Sequence, residues 1–180
     1  IVSHELSRIF QIAHKVATAL GGRYVLLDEI NRVGRVVLIN GEGRWELDFS
    51  TIKGSIEQDL AQRDFTIDAM ATDLSQLGKE KVATELIDPF NGWDDLHRGV
   101  IRVVSETAFK SDAARLLRAV RLAAELGFTI DNETETLIGH YCHLITSVAG
   151  ERVREELLRL LAVTQSGQFL YYLDKLGLVT

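Results

Sequence analysis

The sequence predicts an α+β fold, mixed helix and sheet through residue 104 and all-helical from residue 105 onward. Three observations carry this. Apolar residues recur at helical spacing from Leu6 to Leu20. Three runs rich in β-branched and aromatic residues follow, the last two joined by Asn40-Gly41-Glu42-Gly43, a strong hairpin signal. Beyond Ser105 the helical period returns and does not break again. The expected division is therefore 1–104 and 105–180. A chain of 180 residues, 46% hydrophobic and 26% charged, can bury a core as one domain or two small ones. No apolar run approaches the ~20 residues of a membrane span. One cysteine, Cys142, excludes a disulfide framework and fits a reducing compartment such as the cytoplasm. A net charge of −6 argues against holding nucleic acid by bulk charge alone.

Each element has its own signal. Ser3 is the expected N-cap of the first helix, with Ile9, Phe10, Ala13, Val16, Ala17 and Leu20 on its apolar stripe and Gly21-Gly22 at its end. Strands are expected at 24–27, 35–39 and 44–49. Ser55 caps a short helix through Gln62, and 63–71 reads as a turn into another helix. Short strands at 85–87 and 100–104 flank Asp88-Pro89-Phe90-Asn91-Gly92, which is dense turn chemistry. Ser111 is the expected cap of a long helix that carries Leu116, Ala119, Val120 and Ala123 and ends at Gly127. Asp131 opens the next, with Leu137, Ile138 and Tyr141 on one face. Two more helices are expected at 151–163 and 167–176.

Three constellations carry chemistry. Asp112, Arg115, Arg118 and Arg121 recur every third residue. Each step turns a helix by about 300°, so the four drift slowly around one flank. Their plainest reading is a solvated face with one ion pair. The sharper one is a base reader. A carboxylate only accepts hydrogen bonds and a guanidinium only donates them. Cytosine and adenine present an amino donor beside a ring-nitrogen acceptor, which suits Asp112 and Arg115. Guanine and uracil present the reverse polarity and are rejected by unpaired polar groups. Arg118 and Arg121 suit phosphates. In the second constellation, Arg63-Asp64-Phe65-Thr66-Ile67-Asp68, Asp64 or Thr66 serves as an N-cap, or else Arg63 and Asp64 meet a ribose or triphosphate. Third, Glu46 and Asp48 alternate along a strand and so share a face, as exposed acids opposite a buried Trp45, Leu47 and Phe49 or as ligands for a divalent metal. His140, Cys142 and His143 sit close together, but there is no second cluster to complete a structural zinc site. His4, His14 and His97 read as surface histidines, and Trp93 as a core or turn anchor.

The run Arg63 to Ala71 resembles the RRDFTINAMA signature of class II tRNA nucleotidyltransferases and bacterial poly(A) polymerases. Asp88-Pro89-Phe90-Asn91-Gly92, with Asp95-Leu96 and Ile101-Arg102, resembles that family's DPxxG…DL…IR stretch. Residues 111–128 resemble its EDxxRxLRAxRFAxxLGF neck helix, and residues 151–157 its ERxxxEL segment. The four motifs occur in order. The resemblance implies part of a polymerase-β-like antiparallel head domain followed by a helical neck and the start of a body. It implies template-independent addition of C and A from CTP and ATP to an RNA 3′ end, most simply that of a tRNA, with Mg²⁺ held by an Asp-x-Asp pair. Asp112 and Arg115 take the base-pairing roles, Arg118 and Arg121 match further nucleotide-binding arginines, and Arg63 and Asp64 match groups near the nucleotide and its ribose. A poly(A) activity, or a noncatalytic nucleotide- or RNA-binding module, is the alternative.

Three positions depart from the family pattern: Ser111 where it has Glu, Asp68 where it has Asn, and Gln62 where it has Arg. The Asp-x-Asp pair is absent. The expectation is a chain shortened at its N-terminus, inactive alone, with Glu46 or Asp48 as the third carboxylate of the metal site.

Overall fold

The computed structural model describes residues 1–3, 8–29, 32–41, 43–52, 54–76, 85–164 and 166–179. They divide into two compact units, Ile1–Asp59 and Leu60–Thr180. This division falls earlier than the change of sequence character at 104–105.

The first unit is one helix on a four-stranded sheet. β1 (Val2–Ser3), β2 (Arg23–Asp28), β3 (Val33–Asn40) and β4 (Gly43–Thr51) lie in the order β1-β4-β3-β2. The β2–β3–β4 meander is antiparallel, as its period-2 runs predict, and Asn40 pairs with Gly43 across the expected turn. β1 joins β4 in parallel, with Ser3 opposite Thr51. Ser3 is therefore a strand residue and not a helix cap. Helix α1 (Ile9–Leu20) begins later, at Arg8, with no side-chain cap. Leu6 and His4 lie outside the described residues. Gly21 ends α1 in the left-handed conformation, φ 67°, where its missing Cβ removes the steric cost.

Ile9, Ala13 and Ala17 pack on Val36 and Phe49, with Leu38, Leu47 and Tyr24 at the margin. Trp45 belongs to the same face but is 55% exposed, not buried as expected. The reason is length. Twelve helical residues reach about 18 Å, whereas the nine residues of β4 span about 30 Å, so the hairpin tip outruns its cover. α2 (Ile56–Leu60) closes the unit's sequence. Ser55 Oγ accepts from the Gln58 N–H, and Gln58 Oε1 accepts from the Ser55 N–H, a reciprocal cap.

In the second unit the segment 63–71 does not turn into a helix. It forms a single 3₁₀ turn, Thr66–Asp68, and then β5 (Ala71–Thr72), which pairs with β6 (Leu86–Ile87). After the Asp88–Gly92 turn comes a helix the sequence reading left out, α3 (Gly92–Arg98). Asp88 accepts from the N–H groups of Gly92 and Trp93 and so caps it. Trp93 is 54% exposed against His97 and anchors no core. β7 (Val100–Ile101) pairs in parallel with β8 (Thr129–Ile130), and Phe65 bridges to Val103.

The neck is two helices, not one. α4 (Thr107–Ser111) ends at Ser111, and α5 (Ala114–Leu126) starts after a break in which Asp112 is extended, φ −152° and ψ 98°. Ser111 therefore closes a helix rather than capping one. α6 (Asn132–Tyr141) is capped by Asp131 as expected, and Ile138 and Tyr141 are buried. α7 (Gly150–Leu161) and α8 (Ser166–Lys175) follow, and α5 packs against both. Phe65, Ile101, Phe109, Leu116, Val120, Ile138, Leu160 and Leu173 form one continuous core. Residues 60–104 thus share a core with the helices behind them. Among the described residues no helix is long and apolar enough to cross a membrane.

A candidate nucleotide site

The 63–68 turn and the start of α5 come together in the second unit. The turn is built from behind. Thr66 Oγ1 donates to Asp95 Oδ2 at 2.8 Å, and Arg102 Nε donates to the same oxygen at 3.0 Å. Arg102 Nη1 also lies 2.8 Å from Asp131 Oδ1, the carboxylate that caps α6. Gly92 presses against the Thr66 carbonyl so closely that any Cβ would overlap it. Asp95 is 3% exposed, and three donor contacts satisfy its oxygens there. Thr66→Val should cost roughly 1–2 kcal/mol in chemical denaturation, since a hydrogen bond to a charged group is lost from a site with no water to replace it.

On this frame the predicted residues take different positions. Arg115 is held by oxygens. Its Nη1 donates to the Ala108 carbonyl at 3.2 Å and to Ser111 Oγ at 3.3 Å, and its Nη2 donates to the Gln62 carbonyl at 3.0 Å. Ser111, in the family's glutamate position, still touches Arg115 but brings no charge to it. Gln62 contributes its main chain only.

Asp112 is not on the helix with Arg115. It stands in the α4–α5 break, where Oδ1 accepts from the Ala114 N–H at 3.2 Å. Arg152 of α7 grips it in a fork, Nη1 to Oδ1 at 2.9 Å and Nη2 to Oδ2 at 2.8 Å. The Arg152 hydrogen bonds hold the Asp112 carboxyl below its ordinary 3.8, against the opposing effect of burial, and the Arg115 charge adds to the lowering.

Arg118 reaches Asp64, with Nε 2.9 Å from Oδ2. The N–H does not point at that oxygen, so Arg118 Nε is a buried donor with no hydrogen-bond acceptor. Asp64 is itself buried and accepts from the Phe65 N–H. Arg63 is exposed at the edge of the turn.

Arg121 corrects the sequence expectation. It is 2% exposed, its Nε pairs with Glu156 and its Nη1 with Glu125, and a nucleotide has no access to it. Steps of three drift by about 60°, so the two steps from Arg115 to Arg121 turn the side chain by about 120°, from the flank into the α5–α7 seam.

In the first unit Glu46 and Asp48 do share a face, opposite α1, but Arg35 lies between them. Its Nη1 is 2.5 Å from Glu46 Oε2 and its Nε 2.6 Å from Asp48 Oδ1. Two carboxylates already neutralised by a guanidinium do not suit Mg²⁺, which needs hard oxygens in octahedral array. Among the described residues no group of three or more His, Cys, Asp and Glu could hold a metal.

Sequence reading gave no role to Arg152, Asp95 or Arg102. All three lay in quoted motifs, but Asp95 is buried on α3, which was not expected, and Arg102 is known by its bond to Asp95. Arg152 meets Asp112 across 40 residues, and no local pattern reports such a contact.

Comparison with known proteins agrees with this arrangement. Residues 30–102 match the family described as "Poly A polymerase head domain", and residues 127–180 match "Probable RNA and SrmB- binding site of polymerase A". The chain is 44% identical over 147 residues to the CC-adding tRNA nucleotidyltransferase of Geobacter sulfurreducens, covering 81% of this chain and 32% of that protein. It is 39% identical over 163 residues to the enzyme of that name from Synechocystis sp., covering 88% and 36%. The Thermotoga maritima CCA-adding enzyme, solved as a complex with tRNA, superposes with a TM-score of 0.77 at 29% identity, over 95% of this chain and 40% of that one. The chain spans about a third of the length of the curated relatives it matches. With the ordered motifs and these matches together, the chain belongs to the tRNA nucleotidyltransferase and poly(A) polymerase family.

Proposed function

We propose that this chain is the nucleotide-selecting part of a template-independent RNA nucleotidyltransferase, which adds C or A from CTP or ATP to a tRNA 3′ end in the cytoplasm. One observation carries the reading. An acceptor, Asp112, and a donor, Arg115, sit side by side and are held in place by other protein groups, so base polarity is tested against a preset pattern. The names of the Geobacter and Synechocystis relatives favour C as the first nucleotide added. Arg118, with its unsatisfied Nε, together with Arg63 and Asp64, is the proposed contact for the phosphates and ribose. Residues 1–104 act as head and 105–180 as neck and start of the body, a division supported by the head-family match ending at residue 102.

Mg²⁺ is the expected metal of the whole enzyme. The two β4 carboxylates, Glu46 and Asp48, are both paired with Arg35 and are assigned no part in holding it. With no Asp-x-Asp pair in residues 1–180, no step of transfer is assigned to these residues. That observation favours a second reading, in which these residues alone bind nucleotide and do not transfer it.

The test is the affinity of the chain for the four ribonucleoside triphosphates. CTP and ATP should bind about tenfold or more tighter than UTP and GTP, the discrimination expected of one well-formed polar pair. Equal affinities would rule out base reading by Asp112 and Arg115. Given labelled CTP and a tRNA lacking its 3′ CCA, the chain alone should incorporate no label.

A further inference from the structure

We infer that Arg152 is a positioning residue for base selection: it leaves Asp112 a single outward acceptor and fixes the plane of that carboxylate. The inference rests on the base-reading role of Asp112 proposed above.

The argument is a count of lone pairs. An ionised carboxylate offers about four acceptor positions on two oxygens. Oδ1 of Asp112 takes Arg152 Nη1 and the Ala114 N–H, and so is filled. Oδ2 takes Arg152 Nη2 and has one position left. The fork also fixes the plane of the carboxylate, because two parallel N–H···O bonds allow no rotation about the last side-chain bond. The remaining position is therefore aimed, and it can accept one amino proton. The pair borders a cleft of about 290 Å³ lined by Lys110, Ser111, Ser147 and Ala149, through which a planar ring can approach.

Charge state matters as much as direction. A protonated Asp112 would donate, and would then welcome the carbonyl of uracil or guanine. The charged and polar groups facing Asp112 are Lys110 and Ser111 on α4, Arg115 on α5 and Arg152 on α7, with Ser147 from the preceding 3₁₀ turn. Glu155 and Glu156 face Arg152 from its own helix. Lys110 is paired with Glu106, and Arg115 is turned toward the Ala108 and Gln62 carbonyls. Arg152 is thus the cation that lowers the Asp112 carboxyl most, while burial pushes the other way.

The sign follows. Asp112 titrates below 3.8 when gripped. Without Arg152, burial is opposed only by weaker groups, and the carboxyl must titrate at higher pH. The test compares the chain with its Arg152→Gln and Arg152→Lys variants. Two quantities are read: the CTP-to-UTP affinity ratio at pH 7, and the titration of the Asp112 carboxyl carbon by NMR, which is independent of the nucleotide's own ring. In Arg152→Gln the ratio should fall about tenfold, through weaker CTP, and the carboxyl should titrate higher. Arg152→Lys keeps the charge but loses the fork, so it should restore the titration and only part of the ratio. An unchanged ratio in Arg152→Gln overturns the inference, as does an equal loss of affinity for all four nucleotides with Asp112 titrating as before, which is what a purely structural residue would give. If the unaltered chain shows no preference, the base-reading role itself fails, a result separate from either.

Discussion

Arg121→Ala is expected to destabilise the chain by about 3 kcal/mol, toward the low end of the cost of breaking a buried ion pair. The low end applies because Glu125 and Glu156 are not sealed from water, with side chains 25% and 16% exposed. Arg121 itself is almost wholly covered, in the seam where α5 packs on α7. Removing it leaves two carboxylates facing one gap. Glu125 keeps Arg159 at 3.2 Å, whereas Glu156 loses the cation that bridged it to α5. Thermal or urea unfolding followed by circular dichroism measures the loss. Arg121→Met should lose less than Arg121→Ala, since a long apolar side chain fills the space. A variant that unfolds like the unaltered chain yet binds CTP poorly would return Arg121 to the nucleotide site, where its spacing from Arg118 first placed it.

That reversal shows where the sequence was legible. The β2–β3–β4 meander could be read because its signals are local: alternation along each strand, and Asn40-Gly41 at the turn. The caps at Ser55 and Asp131 were legible for the same reason, since each side chain bonds a main-chain group within three residues. The neck was harder. A three-residue period from Asp112 to Arg121 assumes one unbroken helix, and the backbone breaks at Asp112. Nothing in the run SDAARLL announces the break, as Ser, Asp and Ala suit a helix start as well as an interruption. Asp95 was given no role and Trp93 the wrong one, for the same reason. Both depend on α3, a seven-residue helix too short for a periodic signal and preceded by turn residues that mask it. Asp95 turns inward to Thr66 and Arg102, while Trp93 turns outward. The site was legible as a list of residues and not as a set of bonds. Asp112 with Arg152, and Arg115 with the Gln62 carbonyl, join segments 40 and 53 residues apart.

Arg115→Ala is the substitution expected to weaken nucleotide binding most, by roughly 10–100-fold for CTP and ATP. The estimate follows from what the guanidinium does when no ligand is present. Three oxygens fix it, two of them main-chain carbonyls, so its position is set before the base arrives and little ordering remains to oppose binding. Loss of the donor leaves the ring nitrogen of cytosine or adenine unpaired. The fold should tolerate the change within about 1 kcal/mol, because the guanidinium is only half-buried and the carbonyls it leaves can take water. Arg115→Lys should not rescue the binding. An ammonium is a point charge that cannot reach Gln62, Ala108 and a base at once in one plane. Asp112→Asn makes the complementary test, since an amide can donate where a carboxylate cannot. It should lower CTP affinity and raise UTP affinity, whereas Arg115→Ala lowers the first without raising the second. Titration calorimetry on the two variants separates these outcomes. If Arg115→Ala binds ATP and CTP as tightly as the unaltered chain, the α4–α5 break is a structural joint and reads no base.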